Sequence, residues 1–170
     1  MNPKDMTRPH RKNPPILENR LVTVCRLLNK RRAKYIVIGG FACTLHGLIR
    51  ATKDVDLLIP INEKNTQAVL EALGNLPVGI ARELDAKVVS EKPFTIVGDM
   101  PRVDLLTVAA KVKYAQAVQT CKHARIEGVR IPYVDLDTLL KTKDTDRLQD
   151  KADVERLLRI RASFLFTPNP

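Results

Sequence analysis

The sequence lacks the features of a membrane or secreted protein. The least polar stretch, residues 35–49, is interrupted by three glycines, a threonine and a histidine, so nothing approaches the roughly 20 apolar residues that span a membrane. The first residues are basic and rich in proline, which does not fit a secretory signal. Cys25, Cys43 and Cys121 are widely spaced without a CxxC pair, so a disulfide scaffold or a zinc site is not expected. These features favour a cytoplasmic protein without a membrane partner.

Aromatic residues are also scarce, at 4% with no tryptophan. Tyr35, Phe41 and Phe94 are most simply core residues, which leaves no evident side chain for stacking on a base. The content of 44% hydrophobic and 28% charged residues is ordinary for a globular protein. A chain of 170 residues is about one domain and is long enough to bury a core.

The net charge of +10 is unevenly distributed along the chain. Residues 1–34 hold ten Lys/Arg against two acids, a net of +8, whereas the other 136 residues hold 19 against 17, a net of +2. We predict a basic, flexible N-terminal arm at residues 1–15 and a single domain at residues 16–165. The arm has two possible roles: it contacts phosphates, or it is a solvated tail.

The hydrophobic pattern predicts an α+β fold in which helices flank one mixed sheet and a short helical segment ends the chain. Asn62 and Asp135 are placed to cap two of the helices. The predicted helices cover residues 16–32, 41–47, 62–73, 81–84, 113–120, 135–143 and 146–164. The predicted strands cover residues 34–38, 50–60, 93–98 and 102–108, with a hairpin at 123–134.

Two aspartates stand out within the predicted strand at residues 50–60. Asp54 and Asp56 are two positions apart, so on a strand both point to the same face. Two unit charges about 6 Å apart repel by roughly 3 kcal/mol at an effective dielectric of 20, and a divalent cation would remove that repulsion. The sequence VDLL at 55–58 recurs at 103–106, which gives Asp104 the same frame. We therefore predict a metal site of Asp54, Asp56 and Asp104; the alternative is that these acids protect an exposed strand edge.

A glycine pair, Gly39-Gly40, ends one predicted strand and opens a helix, and thirteen residues separate Gly40 from Asp54. Glycines at such a place let backbone N–H groups approach a phosphate, and a helix N-terminus favours negative charge. The pair is also compatible with a tight turn alone.

These motifs together resemble the polymerase-β-type nucleotidyltransferase superfamily, whose signature is hG[G/S], nine to thirteen residues, and Dh[D/E]h. The stretches 39–59 and 139–158 are similar, more narrowly, to small bacterial proteins related to abortive-infection toxin nucleotidyltransferases. The matching positions are Gly39, Gly40, Ala42, Thr52, Asp54, Asp56, Asp104, Lys143, Arg147, Asp150 and Asp153.

The resemblance implies a transferase that moves a nucleoside monophosphate from ATP or another NTP to a hydroxyl, by a two-metal mechanism with two Mg²⁺ ions. The acceptor would be an RNA 3′ end, such as that of tRNA, or a protein side chain. It makes Asp54, Asp56 and Asp104 the catalytic, metal-binding residues. It makes Gly39, Gly40, Thr52 and Lys143 nucleotide-binding, with Lys143 neutralising the triphosphate. The other charged residues of this motif are expected to form an ion-paired brace that holds the last helix to the sheet, namely Arg147, Asp150 and Asp153.

Other possibilities remain open from the sequence. The chain could be a non-catalytic binder of nucleotides or nucleic acid, or a toxin–antitoxin component that keeps the fold. Its protein partner would then be a second copy in a homodimer or an antitoxin.

Overall fold

The chain folds into helices and short strands that are interspersed along the sequence. The computed structural model describes the backbone of residues 16–165 and the side chains of residues 20–164, so the predicted arm at residues 1–15 lies outside the described residues. The helices are α1 (Ile16–Lys30), α2 (Gly39–Leu45), α3 (Glu63–Leu73), α4 (Ala86–Glu91), α5 (Tyr114–Ala117), α6 (Leu136–Thr142) and α7 (Leu148–Leu165), with a 3₁₀ turn at Ile80–Glu83. The strands are β1 (Ile36–Val37), β2 (Val55–Leu58), β3 (Phe94–Val97), β4 (Val103–Leu106), β5 (Val108–Ala109), β6 (Val112–Lys113), β7 (Lys122–Ile126) and β8 (Val129–Tyr133).

Six of the strands form one mixed sheet in the order β3-β4-β2-β1-β8-β7. The pairs β2–β4 and β1–β8 are parallel, and the pairs β3–β4, β1–β2 and β7–β8 are antiparallel. Strands β5 and β6 form a separate two-stranded hairpin. The predicted α+β fold with a mixed sheet is confirmed.

Helices cover both faces of the sheet because successive strand residues point to opposite sides. Val37, Leu57 and Leu105 belong to a buried cluster with side chains of α1, α3 and α4. Ile36 and Leu58 belong to a second cluster with side chains of α2, α5, α6 and α7. Asp56 lies two positions from Leu58 on β2, so both side chains point to the face that carries α2, α6 and α7. Asp104 of β4 is directly opposite Asp56 and shares this face.

Both predicted helix caps are present. The side chain of Asn62 accepts a hydrogen bond from the Asn65 N–H at the start of α3, and Asp135 accepts one from the Thr138 N–H at the start of α6. Each satisfies a backbone donor that the first helical turn leaves without a partner. Among the described residues, no helix has both the length and the apolar character needed to cross a membrane.

Three local features differ from the sequence prediction. Strand β2 is shorter than residues 50–60, and Asp54 lies just before it. Helix α4 was not predicted; it has only six residues, and the Asp85 side chain starts it by accepting from the Val88 N–H. The two-residue strands β5 and β6 were also missed, because they are too short to show an alternating pattern.

Candidate active site

The two VDLL repeats pair with each other. Strands β2 and β4 are parallel neighbours, and their register places Asp56 directly opposite Asp104. Side chains at opposite positions of adjacent strands point to the same face. Asp54, two residues before Asp56, lies at the same end of β2. The structure thus brings together the three acids that the sequence selected.

The guanidinium of Arg102 contacts two of these acids. Its Nε and Nη2 donate to Asp104 Oδ1 and Oδ2 at 2.7 and 2.8 Å, and its Nε lies 3.9 Å from Asp54 Oδ2. Asp104 is only 6% exposed. A buried carboxylate is costly unless an opposite charge and hydrogen bonds compensate it, and Arg102 supplies both. Arg102 was not selected from the sequence, although it lies two residues before Asp104 and the alternation rule places both on one face.

Asp56 carries a charge that its surroundings do not neutralise. The pKa of Asp56 is raised to about 6, chiefly by burial and then by the like charges of Asp104 and Asp54. A hydrogen bond from the Gly40 N–H and the charge of Lys143 oppose this rise. A carboxylate beside two others is the arrangement that a bound cation would relieve.

Gly39 and Gly40 are needed because the side chains of Asp56 and Thr52 lie too close for a Cβ at either position. Gly39 has φ +63°, and a Cβ there would lie 2.1 Å from Asp56 Oδ2. A Cβ on Gly40 would lie 2.6 Å from Thr52 Oγ1. The glycines therefore let β2 and the loop before it pack against the start of α2, and any side chain at either position would displace Asp56 or Thr52.

Lys143 lies at the C-terminal end of α6, where a second group of charges joins α6 to α7. Its Nζ donates to Asp150 Oδ1 at 3.1 Å and to Asp153 Oδ2 at 2.7 Å, and Lys143 is only 5% exposed. Burial would lower the pKa of Lys143, but these two carboxylates hold it above its usual value. Arg50, in the loop before Asp54, also pairs with Asp153. This network fixes α6, α7 and the loop that leads to the acids.

All the site residues selected from the sequence line one cleft of about 590 Å³. They are Gly39, Gly40, Thr52, Asp54, Asp56, Asp104 and Lys143. Basic side chains line it as well, namely Arg50, Lys53, Arg102 and Arg147. A larger groove of about 1020 Å³ adjoins the cleft and shares Ala110, Lys143 and Thr145 with it. The cleft thus combines acids suited to cations with cations suited to phosphate.

Phe94 is not a core residue, unlike Tyr35 and Phe41, which are 3% and 4% exposed. Its side chain is 45% exposed and lines the cleft. Phe94 begins β3, an edge strand of the sheet. Whether a side chain is buried there depends on which helices pack over the strand, and the local sequence does not show this. The prediction that it is buried was wrong for this reason.

Within the part of the chain that the structure describes, no group of three or more His, Cys, Asp and Glu side chains is arranged to hold a metal ion. The pairing of both Asp104 oxygens with Arg102 accords with this. The chemistry of the three acids nevertheless fits Mg²⁺, which prefers carboxylate and phosphate oxygens, and the raised pKa of Asp56 marks an uncompensated charge. The three acids thus have suitable oxygen ligands for Mg²⁺, but both oxygens of Asp104 are paired with Arg102 in this arrangement.

Comparisons with known proteins support the fold. No protein-family model matches the chain, and no curated protein matches it. Among solved structures, the chain is similar to an antigenic nucleotidyltransferase-like protein from Paracoccidioides brasiliensis, with a TM-score of 0.55 and 16% identity. The similarity covers 90% of this chain and 78% of that one. The chain therefore has a nucleotidyltransferase-like fold.

Proposed function

We propose that the protein is a nucleotidyltransferase that transfers a nucleoside monophosphate from an NTP to a hydroxyl on an RNA 3′ end or a protein side chain. The observation that carries this proposal is the parallel register of β2 and β4, which puts Asp56 opposite Asp104 with Asp54 beside them. The nucleotidyltransferase-like fold supports it, as does the mixture of acids and cations around the cleft.

Asp54, Asp56 and Asp104 would hold two Mg²⁺ ions. Bound Mg²⁺ would neutralise the triphosphate and lower the pKa of the acceptor hydroxyl. The exposed cations Lys53 and Arg147 would meet the phosphates from the rim of the cleft. Gly39, Gly40, Thr52 and Lys143 are proposed to form the wall beside the triphosphate.

The reaction forms a bond between the acceptor oxygen and the α-phosphorus and breaks the bond from that phosphorus to the β-phosphate, so pyrophosphate leaves. The hydroxyl proton passes to a carboxylate oxygen, for which Asp104 is the proposed general base. Both oxygens of Asp104 accept hydrogen bonds from Arg102, so Arg102 must leave Asp104 before this step. The adjoining groove is the proposed entry path for the acceptor.

One observation favours a second candidate function. Arg102 already pairs with both oxygens of Asp104, and a permanent pair there would exclude a metal from that residue. The protein would then be a non-catalytic binder of nucleotides or nucleic acid, or a toxin–antitoxin component that keeps the fold. Mg²⁺ titration by calorimetry separates the two, since only the enzyme requires metal at Asp104.

The remaining assignments are also proposals. We infer a cytoplasmic protein from the three free cysteines, two of which are buried. A second copy in a homodimer or an antitoxin is the proposed protein partner. The narrower relation to abortive-infection toxins is proposed on the motifs around Thr52 and Lys143.

The direct test is transfer of label from each α-³²P-labelled NTP, with Mg²⁺, to total tRNA and to total cell protein. The wild type should label one acceptor class. Asp54→Ala should reduce transfer by 100-fold or more, because an acid of the proposed metal site is removed. Exposed Glu91, on α4, provides a control that removes one carboxylate outside the cleft.

Glu91→Ala should transfer like the wild type. Transfer that is equal in the wild type and in Asp54→Ala would show that the acids are not the catalytic group. Absence of transfer to either acceptor class, together with no binding of any Mg-NTP in calorimetry, would overturn the enzymatic proposal.

A further inference from the structure

The edge strand β3 carries exposed apolar side chains on the same face as the acids. Phe94 and Ile96 on β3 are 45% and 48% exposed. The antiparallel register of β3 and β4 places Ile96 opposite Asp104 and Phe94 opposite Leu106. Side chains at opposite positions share a face, so Phe94 and Ile96 lie on the face that carries Asp104.

The alternate residues of the same strand are less exposed, and the first of them, Thr95, is half-buried. Val97 is fully buried in the core cluster beneath the other face of the sheet. The exposure of Phe94 and Ile96 is therefore a property of one face rather than of a loosely packed strand end. Single exposed apolar residues are common on protein surfaces, but this pair lies on the same face as Asp104, and Phe94 lines a cleft that charged side chains of both signs also line.

Phe94 is continuous with the proposed reaction site. It lines the same cleft as Asp54, Asp56 and Asp104, and Leu106 lines it too. An aromatic ring next to a cation- and phosphate-binding region offers a stacking surface for the one apolar, planar part of a nucleotide. Among the described residues that line the cleft, none of the others is aromatic.

We propose that Phe94, with Leu106 beside it, is the nucleobase-binding surface of the cleft, on which the base of the NTP stacks while its phosphates face the acids. This inference rests on the proposed function and adds to it a contact between Phe94 and the base of the nucleotide. Stacking tolerates every base, so Phe94 would set affinity for the nucleotide more than the choice among bases.

The test compares binding of each Mg-NTP with binding of Mg-tripolyphosphate, which has the phosphates but no base, by titration calorimetry on the full chain. Phe94→Ala should weaken NTP binding by about tenfold or more, as expected for loss of one base–aromatic stack, and should leave tripolyphosphate binding within about twofold. Phe94→Tyr should retain wild-type NTP affinity. Ile61→Ala, at a residue 63% exposed and outside the cleft, is the matched control and should change neither.

The outcomes separate this inference from the proposed function. Equal loss of NTP and tripolyphosphate binding in Phe94→Ala, or no loss of either, would overturn the base surface while the nucleotide site stands. A wild type that binds neither ligand would overturn the nucleotide site and the base surface with it. If Phe94→Ala converts a dimer into a monomer on size-exclusion chromatography without changing NTP binding, a second copy covers the patch and the base surface is excluded.

Discussion

A single guanidinium, that of Arg102, lies between two carboxylates of the cleft. It makes a two-point contact with Asp104 and lies within 4 Å of Asp54. Planar, two-point pairing of this kind favours Arg over Lys, and it uses the oxygens that a hard cation would need. At the scale of single residues, the proposed metal ion would therefore compete with Arg102 for the oxygens of Asp104.

Arg102→Gln tests this competition. Loss of the positive charge should tighten Mn²⁺ binding by roughly tenfold, because the acids keep their repulsion and lose their internal counter-ion. Gln retains amide donors for buried Asp104. Mn²⁺ affinity is measured by titration calorimetry or by electron paramagnetic resonance of the free ion. Arg156→Gln, at an exposed residue of α7, should bind Mn²⁺ like the wild type; unchanged or weaker binding by Arg102→Gln would refute the competition.

The acids of the cleft were predictable residue by residue, whereas its other side chains were only partly so. The spacing of Asp54 and Asp56 and the repeated frame of Asp104 are visible in the sequence, and the structure pairs that repeat in register. The same alternation rule would have found Arg102, had it been applied to the second repeat. Exposure of Phe94 could not be predicted, since it depends on which helices cover the end of β3.

At the scale of elements, Asp99 in the turn of the β3–β4 hairpin hydrogen-bonds to the connection between α3 and α4. Asp99 accepts hydrogen bonds from the N–H groups of Val78, Gly79, Ile80 and Met100, at 2.7 to 3.3 Å. Burial would raise the pKa of Asp99, but these four donors together hold it below its usual value. The hairpin carries Asp104, so this contact also steadies the site.

Asp99→Asn should lower the free energy of unfolding at pH 7 by about 2 to 3 kcal/mol, since an amide nitrogen cannot accept from donors that faced a charged oxygen. The folded pKa lies below the usual value near 3.9, so the carboxylate's contribution is complete above that value and is lost as the pH falls through the folded pKa. Urea unfolding at pH 7 and pH 3 measures both effects, and the difference between the two proteins should shrink at pH 3.

A helix cap provides the control for this substitution. Asp85 begins α4 and accepts from the Val88 N–H, and Asn caps helices about as well as Asp. Asp85→Asn should therefore cost little at pH 7. An equal loss in both variants, or a loss in Asp99→Asn that persists unchanged at pH 3, would contradict the role of the carboxylate charge.

Elements with strong local signals were predicted better than those defined by tertiary contacts. The caps at Asn62 and Asp135 fixed the starts of α3 and α6. The position of β8 beside β1 could not be read from the chain, because this parallel pairing joins segments about a hundred residues apart. The length of β2 could not be predicted either, because it is set by how far the strand pairs with β1 and β4.

At the scale of the whole molecule, charge is balanced in the body and concentrated toward the N-terminus. Within the described part of the body, Arg50, Arg159 and Arg161 each have a carboxylate partner. Residues 1–34 nevertheless hold a net of +8, of which the first fifteen contribute four basic residues and one acid. If this basic segment contacts phosphates, the affinity that it adds would depend on the salt concentration.

Deletion of residues 2–15 should therefore lower the slope of log Kobs against log[salt] for tRNA binding, by about 0.7 to 0.9 for each phosphate that the arm neutralises and so by at most about three units. Fluorescence anisotropy with labelled tRNA between 50 and 300 mM salt measures the slope. The charge-matched control replaces the exposed lysines Lys64, Lys87 and Lys92 by Gln, which removes the same three net charges from the body. If the arm binds phosphates, only the deletion flattens the slope; if it is a solvated tail, deletion and control both leave the slope as in the wild type.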